Sequence, residues 1–220
     1  MPQPSPRPRT SPPARPSRRE RRRAETRERI FRAALQLFAK RGFTATTVED
    51  ITEAADVGKG TFFNYFPSKE HVLAAFAEMQ LGKLQAAAAA APGARESIRQ
   101  TLHRLTQSLA EEPGRSPALV RGMLQANLSS DAVREQFLGY LERGRQLLAK
   151  VMALGQQRGE IRRDRKPIEL ARVIQQSFFG AMLMWSLHPL SPLTEWFDIT
   201  FNLLWSGVAA PTKHGTEKLS

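Results

Sequence analysis

The residues best suited to specific hydrogen bonding lie in one short segment, directly after a tight turn. Lys59, Thr61 and Asn64 supply an ammonium, a hydroxyl and an amide, and Gly60 between them lets the backbone come close to a partner. Groups of this kind hydrogen-bond to the edges of nucleic-acid bases and to phosphates. The segment therefore predicts a short helix, residues 59–65, that presents polar side chains to DNA.

Residue patterns typical of enzymes do not occur in the sequence. The four histidines, His71, His103, His188 and His214, are scattered without the spacing of metal ligands. There is no Gly-x-Ser-x-Gly nucleophile elbow, and residues 58–60 have the glycines and lysine of a phosphate loop without the rest of its pattern. The chain has no cysteine, which excludes disulfides and thiolate metal sites. We therefore expect no enzymatic activity, no metal and no cofactor.

Three helices and a turn are needed to position the polar segment. The first helix is predicted by an apolar stripe at helical spacing: Ile30, Ala34, Leu37 and Phe38. Gly42 suits its C-cap, and Thr46-x-x-Glu49 predicts a capping box that opens a second helix. Residues 56–58 predict a tight turn before the third helix, which Phe62 and Phe66 are spaced to anchor in a core. This is the layout of a helix-turn-helix within a three-helix bundle.

The rest of the chain shows helical periodicity and no strand alternation, so we expect an all-α fold of about nine helices. The predicted organisation is a disordered basic arm rich in proline and arginine over residues 1–20, a helix-turn-helix domain over 21–69, a larger helical domain over 70–209 and a flexible tail over 210–220.

Positive charge is concentrated at the start of the chain. The formal net charge is +12, and residues 1–23 hold eight arginines against one acid. This indicates a polyanionic partner, nucleic acid before membrane. Two interpretations of the arm stay open: a solvated tail that improves solubility, or an arm that lies along phosphates or in a narrow minor groove. The apolar runs are too short for a membrane span, and we expect a cytoplasmic, nucleoid-associated protein.

The sequence around the predicted helix-turn-helix resembles the TetR family of transcriptional regulators, over about residues 24–75. The matching residues are Ala33-Ala34-Leu35-x-Leu37-Phe38-Ala39-x-x-Gly42-Phe43-x-x-Thr46-Thr47-Val48-x-x-Ile51-x-x-Ala54-Ala55-x-Val57-Gly58-Lys59-Gly60-Thr61-Phe62-Phe63-Asn64-Tyr65-Phe66-Pro67-Ser68-Lys69-Glu70. The spacing, the turn and the closing Tyr-Phe-Pro-x-Lys-Glu run all agree with the family. Beyond this stretch the likeness is one of helical architecture.

The resemblance implies that nine residues form the DNA-binding surface: Thr46, Thr47, Lys59, Gly60, Thr61, Phe63, Asn64, Tyr65 and Lys69. The two threonines and Lys69 are implied to hold phosphates. Lys59, Thr61 and Asn64 are implied to face base edges, with Gly60 allowing close approach of the backbone.

Two residues depart from the family pattern. Gly58 stands where the family often has serine, and Phe63 stands where it often has tyrosine. Both missing hydroxyls commonly contact phosphate in the family, so we expect fewer phosphate contacts from this motif. Tyr65 is implied to reach a phosphate or a thymine methyl, and the basic arm could offset the loss.

For the larger domain, residues 70–209, the resemblance implies ligand binding and dimerisation. Six residues are candidates for the wall of an effector pocket: His103, Met123, Phe137, Tyr140, Met152 and Phe178. Their apolar character favours a hydrophobic or amphipathic small molecule. Five residues are candidates for a homodimer interface: Phe179, Met182, Trp185, Phe197 and Trp205. Together with Phe178, Met184 and Trp196 they exceed what one helix pair needs for its own core. Gly180 and Ala181 allow a second helix pair to approach.

These features predict a homodimeric, sequence-specific regulator of transcription. By resemblance it is a repressor that a small-molecule effector releases from a palindromic, double-stranded operator. The alternative is an architectural or non-specific DNA-binding dimer without an effector. The two differ in binding, because a repressor should prefer one palindrome over random DNA by about 10³-fold or more.

Overall fold

The computed structural model describes residues 17–211 and forms nine α-helices over that range. They are α1 (Arg18–Arg41), α2 (Val48–Ala54), α3 (Lys59–Phe63), α4 (Lys69–Ala90), α5 (Ile98–Glu111), α6 (Pro117–Ser129), α7 (Asp131–Gln157), α8 (Pro167–Leu187) and α9 (Leu193–Val208). Between residues 17 and 211 the one β-type pairing is an isolated bridge from Ile161 to Ala209. The fold is therefore all-α, as predicted. No helix of this part of the chain is long and apolar enough to cross a membrane.

Helices α1, α2 and α3 form the predicted bundle around a shared apolar centre. Ile30, Phe38, Ile51 and Phe62 are fully buried there. The turn after α1 depends on Gly42, whose φ of 83° is unfavourable for a residue with a side chain. The bundle confirms the first apolar stripe and both helix breaks that the sequence predicts.

The predicted capping box of α2 is wrong by one residue. The N-cap is Thr47, whose hydroxyl accepts the backbone N–H of Asp50 at 3.1 Å, while the Asp50 carboxylate accepts the N–H of Thr47 at 2.8 Å. Thr46 is fully buried and donates its hydroxyl to the carbonyl of Gly42 at 2.8 Å. Two adjacent threonines followed by two adjacent acids fit both registers, and burial of the first threonine decides between them.

The predicted disordered arm, residues 1–20, is wrong at its end, because α1 begins at Arg18. Ser17 and Glu20 form a capping box that satisfies the first free N–H groups of the helix, at 3.2 Å and 2.7 Å. The remainder of the arm, residues 1–16, and the end of the predicted tail, residues 212–220, lie outside the described residues.

The core of the bundle continues into the rest of the chain. The cluster that contains Phe62 also contains Phe76 of α4, Leu119 and Met123 of α6, and Val133 of α7. The apolar packing therefore runs across the predicted domain boundary after residue 69. Movements of α4 and α6 are mechanically linked to the bundle.

Gly122 of α6 packs closely against Phe43 in the loop after α1. A Cβ at this position would lie 2.6 Å from Cβ of Phe43. We expect Gly122→Ala to destabilise the fold by about 1–3 kcal/mol, because the overlap lies between packed elements. In α7, a Cβ at Gly139 would have no neighbouring atom within 4 Å, so Gly139→Ala should stabilise the helix by about 0.5–1 kcal/mol. Urea unfolding measures the free energy of unfolding of both variants. Equal changes in the two variants would contradict the close contact between Gly122 and Phe43.

Candidate DNA-binding surface and ligand cavity

Helix α3 presents one polar face and buries the other. Phe62 and Phe66 are buried, as predicted, while Lys59, Gly60 and Asn64 are exposed. Asp56, in the turn before α3, has a φ of 49°, in the left-handed region that aspartate tolerates. The turn directs α3 so that its polar face points away from the bundle. This is the arrangement needed to enter a major groove.

Three further residues of the predicted surface flank that face. Thr61 and Tyr65 are partly buried, and Phe63 is half-exposed with its ring edge-on to Phe62. The exposed aromatic ring of Phe63 occupies the position where the family often has a phenol. It can make apolar contact with DNA but cannot donate a hydrogen bond to phosphate.

Lys59 is paired with an acid of the neighbouring helix. Its ammonium contacts the carboxylate of Glu49 at the surface. The hydrogen bond from Lys59 holds the pKa of Glu49 below its ordinary value. Contact between Lys59 and a base edge therefore requires that the ammonium leave this carboxylate for an acceptor on the DNA. Glu49 thus competes with DNA for Lys59, which the sequence did not indicate.

The two threonines of the predicted surface differ in accessibility. Thr47 is exposed at the N-terminus of α2, but its N–H and its hydroxyl both donate to the carboxylate of Asp50, at 2.8 Å and 2.7 Å. Contact between Thr47 and a phosphate therefore requires displacement of Asp50. The hydroxyl of Thr46 is buried and engaged, so this side chain supports the turn and does not reach DNA in this conformation.

Lys69 also differs from its predicted role as a phosphate clamp. Its ammonium donates to the carbonyls of Phe43 at 3.0 Å and Thr46 at 2.9 Å, and it lies 4.5 Å from the centre of the Phe43 ring. In this conformation Lys69 joins the start of α4 to the loop between α1 and α2. A side chain that donates hydrogen bonds to two carbonyls of a neighbouring loop is a structural tie between the two elements.

The larger domain contains an apolar cavity of about 170 Å³ between α4, α5, α6, α7, α8 and α9. Four of the six predicted pocket residues line it: Met123, Phe137, Tyr140 and Phe178. Leu81 of α4, Leu105 of α5 and Leu141 of α7 add to the wall. Among the described residues no charged side chain lines the cavity. An apolar ligand segment can therefore enter without leaving a buried charge unpaired.

The two other predicted pocket residues, His103 and Met152, do not line the cavity. His103 lies on the outer side of α5, where its Nε2 is 2.6 Å from Oδ1 of Asp198 on α9. Met152 is fully buried in the core that α7 shares with α8 and α9. Met152 lies four residues after the wall residue Leu148, and His103 directly follows the wall residue Leu102. Periodicity alone could therefore not separate them from wall positions.

Polar wall residues were missed by the sequence analysis. Gln80 of α4 donates from Nε2 to the carbonyl of Leu109 at 2.8 Å, and its buried Oε1 has no partner among the described residues. Gln175 of α8 is fully engaged, since it donates to the carbonyl of Leu141 at 2.9 Å and accepts from Arg145 at 3.2 Å. In the sequence, the only indication of such a wall residue is a glutamine within an apolar helix. A glutamine on the surface of the helix gives the same pattern, so the fold is needed to distinguish the two.

The five predicted interface residues contribute to the cavity wall or to the core of this chain. Phe179, Met182, Phe197 and Trp205 line the cavity, and Trp185 is buried with its indole donating to the carbonyl of Ser191 at 2.8 Å. Their role in a homodimer interface stays a prediction, because Phe179, Met182 and Trp205 are only partly buried in this chain. A cavity needs a complete wall, which accounts for the excess of large apolar residues.

A different set of apolar residues is exposed on these two helices. We call it the outer apolar face of α8 and α9: Val173, Met184, Leu187, Ile199 and Leu203. On α8 the exposed residues follow one stripe, with Gly180 in the middle and nothing within 4 Å of its Cβ position. Two helices that are apolar inside and outside are typical of a buried layer.

A helix-turn-helix with an exposed polar third helix, joined to a helical domain that contains an apolar cavity, defines a ligand-responsive transcriptional regulator. A family model described as bacterial regulatory proteins, tetR family, matches residues 30–76, and one described as tetracyclin repressor-like, C-terminal domain, matches residues 92–197. The chain belongs to the TetR family, and it is a DNA-binding, ligand-responsive transcriptional repressor of that family.

Relatives support this assignment over most of the chain. The HTH-type transcriptional repressor DhaR of Mycobacterium sp. (strain GP1) is 27% identical over 83% of this chain and 93% of its own length. The HTH-type transcriptional repressor KstR of Mycolicibacterium smegmatis is 29% identical over 82% of this chain and 87% of its own. The solved structure of Thermus thermophilus FadR, a repressor in complex with lauroyl-CoA, is 30% identical, covers 88% of this chain and 100% of its own, and superposes with a TM-score of 0.63.

Proposed function

We propose that two copies of the chain bind a palindromic operator through their α3 helices, and that a small molecule with a hydrocarbon chain releases them by entering the cavity. The observation that carries this proposal is the position of α4. Its first residue, Lys69, holds the loop that precedes α2, while Phe76, Gln80 and Leu81 of the same helix line the cavity. One rigid element therefore touches both sites.

Coupling follows from this arrangement only if the ligand favours one position of α4 over another. A ligand that pushes against Leu81 would move the start of α4, and with it the loop that Lys69 holds. In a dimer, the two α3 helices must lie about 34–36 Å apart to enter successive major grooves. A small rotation of α4 in each copy changes this distance and weakens operator binding.

The wall of the cavity supports the chemical class of the effector. An uncharged, largely apolar wall suits an alkyl or acyl chain. A charged headgroup would have to remain outside. Lauroyl-CoA, which the FadR relative binds, has this distribution of apolar and charged parts and serves as the first probe.

The second copy is supported by the outer apolar face of α8 and α9. Ile199 is 61% exposed and Leu203 is 70% exposed on successive turns of α9. Exposed side chains of this size on two adjacent helices can pack against the same two helices of a second copy and form a four-helix interface.

We also propose that the protein acts on the nucleoid, in the cytoplasm, because its proposed partner is operator DNA.

Selection of binding sites from random duplex DNA, with the full-length protein, tests the proposal. We expect one inverted repeat, bound about 10³-fold or more tightly than random DNA, and lower affinity for it in the presence of lauroyl-CoA. Recovery of no motif would favour the architectural alternative. A motif whose binding is unaffected by lauroyl-CoA, although lauroyl-CoA binds the protein, would overturn the effector mechanism.

Filling the cavity should desensitise the repressor. Leu141→Trp on α7 places an indole in the space for the hydrocarbon chain, so the lauroyl-CoA concentration for half-release should rise by about tenfold or more, roughly 1.4 kcal/mol. The control is Leu138→Trp, on the same helix, at a residue that is 55% exposed and does not line the cavity. Fluorescence anisotropy of a labelled operator gives both values, and an equal response in the two variants would place the ligand elsewhere.

A further inference from the structure

Helix α1 extends well beyond the bundle that it helps to build. Residues 18–29, which we call the arginine overhang, precede the start of the family match at residue 30. At 1.5 Å per residue they form about 18 Å of helix. Within the overhang every residue except Thr26 is exposed, so apolar packing does not hold it in place.

The overhang is strongly basic and largely unpaired. It contains seven arginines and three glutamates. Among the residues the structure describes, no acidic side chain lies within 4.0 Å of Arg18, Arg19, Arg21, Arg22 or Arg23. Arg18 and Arg22 are four residues apart, as are Arg19 and Arg23, and such like-charge pairs destabilise a helix. A bound polyanion would relieve this repulsion.

Aromatic contacts align the overhang with the DNA-binding surface. The guanidinium of Arg23 lies 6.0 Å from the centre of the Tyr65 ring, and that of Arg27 lies 5.3 Å from the Phe66 ring. Arg27 also pairs with Glu78 of α4 at 3.4 Å. Tyr65 directly follows the polar face of α3, so the row of arginines begins where the helix-turn-helix surface ends.

We propose that the arginine overhang is a second DNA-binding element, which binds the phosphate backbone of duplex DNA flanking each operator half-site. It adds affinity without reading sequence, because guanidinium groups on an exposed helix reach phosphates of any sequence. It thereby offsets the two phosphate-contacting hydroxyls that Gly58 and Phe63 lack. The inference rests on the proposed operator binding. Operator binding is tested by the preference for operator over random DNA, whereas the overhang is tested by the salt dependence of the affinity.

The test replaces three arginines that do not contact the aromatic rings, as Arg18→Gln/Arg19→Gln/Arg22→Gln in the full chain. The matched control is Arg95→Gln/Lys150→Gln/Arg165→Gln, which removes the same charge from exposed positions. The three control residues lie near the end of α4 that is far from the helix-turn-helix. There Arg158, just after α7, donates to the carbonyl of Ala91, just after α4, at 3.0 Å. Glutamine keeps the helix propensity of arginine, and circular dichroism checks that α1 persists.

The measurement is operator affinity against salt concentration, with random duplex in parallel. Each lost phosphate contact should lower the slope of log K against log salt by about 0.9, so the overhang variant should lose about 2–3 of slope on both duplexes and keep its preference for operator. The control should keep the parent slope. Equal slopes in the overhang variant and the parent, or equal losses in both variants, would overturn the proposal. A parent protein without operator preference would instead overturn operator recognition, whatever the slopes.

Discussion

Phe62→Ala is expected to lower the free energy of unfolding by about 3–5 kcal/mol and to abolish operator binding. Phe62 is fully buried, with its ring 5.9 Å from that of Phe66, and it is the residue by which α3 enters the core. Loss of the ring leaves a cavity between elements that are fixed by other contacts, and it releases α3 from the bundle. Because this core continues to Phe76 and Met123, the loss should lower the stability of the whole chain.

Phe63→Ala is the matched control, since it removes the same side chain from the next residue of the same helix. Phe63 is 51% exposed, so we expect a loss of less than about 1 kcal/mol. Denaturant unfolding followed by circular dichroism measures both values. Similar losses for the two variants would mean that α3 is not anchored in the way the structure shows.

Ile199→Glu/Leu203→Glu is expected to convert the proposed dimer to a monomer. The substitutions place two carboxylates on the outer apolar face, where burial against a second copy would leave them unpaired. Each monomer then binds one half-site alone. The loss of linked binding should weaken operator affinity by about 10²–10⁴-fold, while the fold of the subunit persists because both side chains are exposed.

Leu128→Glu on α6 controls for the effect of adding charge to an exposed leucine, since this residue is 78% exposed and lies outside α8 and α9. It should leave the protein dimeric. Sedimentation velocity gives the oligomeric state, and titration of a fluorescent operator gives the affinity. A double variant that remains dimeric would show that the copies associate through another surface.

Several features of the fold and site could be predicted from short stretches of sequence. Apolar spacing over residues 30–38 predicted the buried face of α1, and Gly42 predicted the break with positive φ. Phe62 and Phe66 were predicted as anchors and are buried. These predictions depend on geometry within one or two helical turns, where 3.6 residues per turn and the restricted φ of residues with side chains leave few alternatives.

Other features required the partners that only the folded chain supplies. Lys69 binds the carbonyls of Phe43 and Thr46, which precede it in the chain by 26 and 23 residues. The carboxylate that pairs with Lys59 belongs to Glu49, on another helix. A charged side chain near a DNA-binding motif carries no local sign of such a competitor. The register of the α2 cap likewise depended on burial of Thr46, which its neighbours in sequence do not reveal.

The sequence by itself determined which residues of α8 and α9 are apolar, and it showed that they are too many for one core. Tertiary structure decided their roles: Phe179 and Phe197 face the cavity, whereas Ile199 and Leu203 face outward. The physical reason is that both sides of these helices are apolar, so hydrophobic periodicity no longer distinguishes them. Only the packing of α5, α6 and α7 against one side of these two helices leaves the other side exposed.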